Sequence, residues 1–204
     1  FNDLVSDVAQ VFRAMKKSDK EEWIGRGHGI GALSLLDLIN RSDEIVKGKI
    51  DRLILSNFVL KFSSPVFKMQ ERILENVSVL GAAMKSARPL EIYLPNEMLT
   101  HPKEQTLYLD DPLIVRRPTY QTFKSINQKA TSIYQDAYFL DRPTLVLQSM
   151  SPYLFPRGIE SFSKGFKKGL LVEKKYSNLK HDLYNERDNL VVFNDILEWI
   201  QHEK

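Results

Sequence analysis

The 204 residues suffice for one domain with a full core, and 43% hydrophobic with 27% charged residues is the balance of a globular chain. A net charge of +3 is too small to argue for nucleic-acid binding. No apolar run reaches the length of about 18 residues that a membrane-spanning helix needs. With no cysteine, disulfides, thiolate metal sites and cysteine nucleophiles are excluded.

The absence of cysteine fits a reducing compartment, and Phe1-Asn2-Asp3 lacks a basic segment followed by an apolar one. A cytoplasmic location is therefore expected. In chain order, Asn2 is placed to cap a helix whose apolar face reads Leu4, Val8, Val11, Phe12 and Met15. Ser18 to Lys20 is a turn, and Glu21 to Arg26 reads as a short strand. That strand enters Gly25-Arg26-Gly27-His28-Gly29-Ile30-Gly31-Ala32, a run of alternating glycines. The helix that follows, Ala32 to Ile39, is apolar nearly all round and is expected to be buried on more than one side.

Residues 40 to 50 read as a loop, and Arg52 to Ser56 as a strand without alternation, which suits a parallel strand covered on both faces. Strand, helix and strand at this spacing make a right-handed βαβ unit, so the fold class is α/β. Between Lys61 and Tyr138 the pattern is helical: Phe67 to Lys85, Lys103 to Leu109, then Tyr120 to Tyr138 with Phe123, Ile126, Ala130, Ile133, Tyr134 and Ala137 in its stripe. Arg88 to Asn96 reads as extended or loop. This stretch is longer than a crossover needs, so 61–138 is read as an inserted helical cap, with 1–60 and 139–204 forming the sheet core. Thr144 to Gln148 is a third strand, Ile159 to Lys168 a crossover helix ending at Gly169, and Leu170 to Lys174 a fourth strand. A loop carrying His181 leads to a last helix that uses Phe193, Ile196, Leu197 and Ile200.

Two readings of the glycine run compete. Gly27-x-Gly29-x-x-Ala32 satisfies a dinucleotide-binding pattern, but that needs an acidic residue at the end of the next strand, where Ser56-Asn57-Phe58 stands. No cofactor is therefore expected. The other reading is the nucleophile elbow Gly-x-Ser-x-Gly, with glycine where serine belongs. His101 and His202 read as surface residues, and no histidine pairing suggests a metal.

Four segments then carry a family resemblance. Gly27 to Ala32 is similar to the Gly-His-Ser-Met-Gly-Gly elbow of monoacylglycerol lipases and lysophospholipases. Leu99-Thr100-His101-Pro102 with Asp110-Asp111-Pro112-Leu113 resembles their cap segment. Pro143 to Gln148 resembles their Pro-Thr-Leu-Val-Leu-His strand, and Leu179 to Glu186 their histidine loop. The resemblance implies an α/β-hydrolase fold, a parallel sheet flanked by helices under a helical cap. Family sequences extend before the segment that aligns with Phe1, so the first strands of the sheet are expected from a preceding segment or a second polypeptide.

The same resemblance places the nucleophile at Gly29, the acid at Pro152, the general base at His181, an oxyanion-type backbone donor at Ile30, and His28 beside the elbow. Glycine cannot form an acyl-enzyme and proline cannot orient a histidine, so His181 would lack both partners. Asp182 or Glu186 is read as a structural hydrogen-bond partner for it. Three roles stay open: an impaired relative that binds an acyl or lipid molecule or a protein, an ester hydrolase with a non-standard site, and an assembly subunit.

Overall fold

The computed structural model describes residues 1–40, 44–58, 94–136, 140–149 and 168–202. Its elements are α1 (Asn2–Ala14), β1 (Ile24–His28), α2 (Ile30–Asn40), α3 (Glu44–Lys47), β2 (Arg52–Ser56), α4 (Pro95–Met98), α5 (Pro102–Asp110), α6 (Tyr120–Asp136), β3 (Thr144–Ser149), β4 (Leu171–Tyr176) and α7 (Leu190–His202). The strands form one parallel sheet in the order β1-β2-β3-β4. Register runs Gly27 to Leu55, Leu55 to Val146 and Val146 to Glu173 across it.

Every residue of β2 and β3 is buried, which is why neither sequence alternates. Leu53, Leu55 and Val146 enter a cluster with α1, α2 and α6, where Leu33, Leu36, Ile126, Ala130 and Ile133 are buried. Ile54, Leu145 and Leu147 enter the opposite cluster with Tyr176, Leu179, Leu183 and the α7 residues Val192, Ile196 and Trp199. The sheet is thus a layer between two helical layers. In α2 every residue from Ala32 to Ile39 is buried, including Ser34 and Asp37. Ser34 donates its hydroxyl to the Ile30 carbonyl at 2.9 Å, and Asp37 pairs with Lys129 of α6 at 2.8 Å.

Several boundaries and faces differ from the sequence reading. Phe1, not Asn2, is the cap residue of α1, and its carbonyl accepts the Val5 amide. The buried face of α1 is Val5 and Ala9, flanked by Val8 and Phe12; Leu4, Val11 and Met15 are exposed. That helix ends on a lysine: Lys49 Nζ donates to the carbonyls of Phe12, Arg13 and Met15, satisfying the acceptors that a helix C-terminus leaves free. The first strand is Ile24–His28, so Gly25 and Gly27 lie inside it. Residues 44–47 form a short helix within the expected loop, and Pro95 opens another inside the segment read as extended. Leu197 is exposed on α7 and Trp199 takes its place in the core.

The helices expected at Phe67 to Lys85 and Ile159 to Lys168 lie, but for Lys168, outside the described residues, as do the side chains of Phe123, Tyr134 and Ala137. Gly169 has a φ of +90°, a conformation open to glycine. Among the described residues no helix is long and apolar enough to cross a membrane.

Candidate functional site

The site forms where the carboxyl ends of β1 and β2 meet the loop after β4. Gly27 must be glycine: a Cβ there would lie 2.5 Å from the Ala32 Cα, so the strand and the helix after it touch through backbone. Two residues on, Gly29 turns the chain with a φ of +52°, and its amide donates to the Ser56 carbonyl at 2.9 Å. Helix α2 begins at the next residue. The amides of Ile30, Gly31 and Ala32 precede the first intrahelical donor, the Leu33 amide, which bonds the Gly29 carbonyl at 3.3 Å, and they lie at the positive end of the helix dipole.

His181 faces this turn. A Cβ placed on Gly29 would sit 3.5 Å from His181 Nε2 and 4.0 Å from its Cε1. The histidine is 8% exposed, and its backbone is held from two sides. Asn57 Nδ2 donates to its carbonyl at 2.6 Å, and its amide donates to the Glu97 carbonyl at 3.4 Å. Asn57 itself adopts a positive φ of 41° at the end of β2, and its Oδ1 accepts the Ser149 amide at 2.8 Å. One asparagine thereby ties the ends of β2 and β3 to the histidine loop.

Glu186 secures the same loop to the segment before α5. Buried at 2% exposure, it accepts the Thr100 amide at 3.0 Å, the Thr100 hydroxyl at 2.7 Å and the Lys180 amide at 2.9 Å. The sequence reading gave Glu186 or Asp182 to the His181 ring; the structure gives Glu186 to Thr100 and Lys180 instead. Asp182 accepts from Asn185 at 2.8 Å. Among the described residues no hydrogen bond reaches either ring nitrogen of His181, and no carboxylate acts on it. Burial, followed by the neighbouring His28, pushes its pKa down to about 3.

His28 lies against His181 with ring centroids 4.9 Å apart and meets Tyr184 edge-on at 5.7 Å. Its Nδ1 is 3.0 Å from Ser56 Oγ, which is also 3.3 Å from the Gly27 carbonyl. Both contacts are satisfied when Ser56 donates to the carbonyl and accepts an Nδ1–H from His28. Burial lowers the His28 pKa, partly countered by Asp182 and reinforced by Arg26. The Arg26 guanidinium covers the other face of Tyr184 at 3.7 Å.

Gly29, Ile30, His28 and His181 therefore come together, while Pro152 lies outside the described residues. Ser56 and Asn57 are structural members of the site to which the motifs assigned no such part, and Glu186, expected on His181, anchors the loop to Thr100 instead. Only Asn57 carried a usable signal, an asparagine directly after an apolar strand, where a positive φ suits it. Among the described residues no cluster of His, Asp or Glu could hold a metal ion.

A parallel sheet with a strand, glycine turn and buried helix on one strand, and a histidine from the loop after the last strand above that turn, defines an α/β-hydrolase fold. Residues 1–188 match the serine aminopeptidase S33 family, and the chain belongs to that family of hydrolases. Its fold is like that of a soluble variant of monoglyceride lipase from Saccharomyces cerevisiae, with a TM-score of 0.76 at 19% identity over 98% of this chain and 67% of that one. Monoacylglycerol lipase from Paleococcus ferrophilus is similar with a TM-score of 0.74 at 17% identity, covering 97% of this chain and 74% of that one. An enol-lactonase from Burkholderia xenovorans LB400 follows this fold with a TM-score of 0.60 at 15% identity, over 98% and 73%. No curated protein matches the sequence.

Proposed function

We propose that this chain is a catalytically impaired member of its hydrolase family, keeping the elbow and its histidine but not the groups that would carry covalent catalysis. The observation that carries the reading is the pairing at Gly29: a side chain at that position would start within 3.5 Å of His181 Nε2, and glycine supplies none. Without a hydroxyl there is no acyl-enzyme, and what remains is the elbow's polarising amides. The lack of a carboxylate on His181 among the described residues supports the same reading, as does proline at the aligned acid position, residue 152.

In this reading the site holds an acyl or lipid molecule, or a protein partner, under a cap formed by residues 61–138, in a cytoplasmic protein. Helix α6, at the end of that stretch, contributes Ile126, Ala130 and Ile133 to the core beside α2. The open edge of β1, which among the described residues pairs only with β2, takes a further strand from a preceding segment or a second polypeptide.

The test is turnover of a short-chain p-nitrophenyl ester. The expected rate equals that of buffer and is unchanged by His181→Ala. Turnover above buffer that His181→Ala abolishes would overturn the proposal in favour of an active ester hydrolase.

A further inference from the structure

Several charged groups outside the site are already paired and carry nothing more. Lys174 is paired with Asp195 at 2.9 Å, and Lys17 bonds Asp51, which also accepts the Trp23 amide. The buried Arg52 joins Glu22 at 2.6 Å and the Ile200 carbonyl at 3.2 Å, while its Nε has no hydrogen-bond partner among the described residues. Within the site, the buried Tyr184 Oη has no hydrogen-bond partner among the described residues, and the His181 ring makes no such bond either. His181 is more than nine-tenths buried, makes no ring hydrogen bond among the described residues, and turns Nε2 toward the start of α2.

We propose that the first turn of α2 and His181 Nε2 together bind a carboxylate, the free acid of an acyl chain, and that the site prefers this acid to its ester. The inference rests on the impaired-catalysis reading, because an intact nucleophile at position 29 would occupy the space beside Nε2. Two independent features converge on one point. The helix start offers amides of Ile30 and Gly31 with the positive end of an 11-residue helix behind them. Opposite stands an imidazole nitrogen about one contact distance from the position of the missing side chain.

The tautomer follows from what surrounds the ring. In a working triad a carboxylate accepts from Nδ1–H, which leaves Nε2 bare to take a proton. With no carboxylate on Nδ1 among the described residues, the proposal places the proton on Nε2, from which it is donated. Burial keeps the ring neutral, which makes it a hydrogen-bond donor without a buried charge of its own. The charged groups that act on the neighbouring His28 are Asp182, which raises its pKa, and Arg26, stacked on Tyr184, which lowers it.

A carboxylate has two oxygens, one for the amides and one for Nε2–H, and its charge is stabilised by the helix dipole. An ester presents one carbonyl oxygen and no charge, so it satisfies only half the site. There is room as well: a Cβ on Gly31 would meet nothing within 4 Å among the described residues.

The experiment is calorimetric titration of the full chain with sodium decanoate and with methyl decanoate, below the concentration at which decanoate aggregates. Decanoate should bind about tenfold more tightly than the ester, the difference expected of a charge-assisted hydrogen bond. His181→Ala should weaken decanoate about tenfold and leave the ester within about twofold, whereas His181→Gln, which retains an N–H donor, should recover most of the loss. Ile30→Pro provides a variant independent of the histidine. It deletes one amide at the first helical position, where proline is tolerated, and should weaken decanoate by a similar factor.

Equal binding of acid and ester, no binding of decanoate, or indifference to both His181→Ala and Ile30→Pro would overturn the carboxylate site and leave impaired catalysis standing. Consumption of the ester during the titration would instead overturn the impaired-catalysis reading and this inference with it.

Discussion

The elbow and the histidine loop, which face each other across the site, keep different things. The elbow keeps a shape: Gly27 against Ala32, a positive φ at Gly29, and a helix start with free amides. It presents no reactive side chain. The histidine loop keeps a reactive side chain inside a dense set of hydrogen bonds with Asn57, Glu97, Met98 and Thr100, and within itself between Lys180 and Glu186. Its ring, in contrast, has no polar partner among the described residues. In the proposed reading, backbone geometry and loop anchoring are kept because the fold needs them, whereas the polar chain linking acid, histidine and nucleophile serves function rather than fold.

The difference can be tested on stability, where anchors and chemistry separate. The largest effect is expected at Glu186. Glu186→Ala strands the donors of Thr100 and Lys180 in the interior and should cost about 3 kcal/mol or more, measured by urea unfolding. Next is the elbow's contact. Gly27→Ala drives a Cβ to 2.5 Å from backbone that cannot yield, for a loss of about 2–3 kcal/mol, while Gly31→Ala meets open space and should change the melting temperature little.

A pH effect of similar size belongs to the histidine side. The His181 pKa falls from 6.5 in the unfolded chain to about 3 in the folded one, so the unfolded state binds protons first. The stability contribution is complete above 6.5 and is lost as pH falls toward 3. Between pH 8 and 5 the loss from this group is about 2 kcal/mol, and His181→Gln should flatten that slope in denaturation curves. A smaller effect belongs to Gly29. Gly29→Ala fits beside His181 but places a non-glycine residue at a φ of +52°, costing about 1 kcal/mol.

What the sequence made legible follows the same division. The strands Arg52–Ser56 and Thr144–Ser149 were readable because both faces are buried, which leaves an unbroken apolar run. The helix after the glycine turn was readable for the same reason. Strand β1 was shifted because Gly25 and Gly27 read as turn residues; they stand in a strand because Leu35 and Ala32 press against them. The face of α1 was misread because Ala9, a small residue, is buried while Leu4, Val11 and Met15 are exposed. The anchoring roles of Ser56, Asn57 and Glu186 depend on contacts between residues 29, 124 and 86 positions apart, for which the chain has no local signature.

The most direct test of the central claim is the turnover of p-nitrophenyl butyrate by Gly29→Ser, with the protein folded and pure. The serine would stand beside His181 but would find it without an orienting acid. The rate should therefore stay about 10⁴-fold below that of an intact triad enzyme. Recovery to the rate of an active family member by this single change would contradict the account, because it would mean that a carboxylate still serves His181 and that only the nucleophile had been lost.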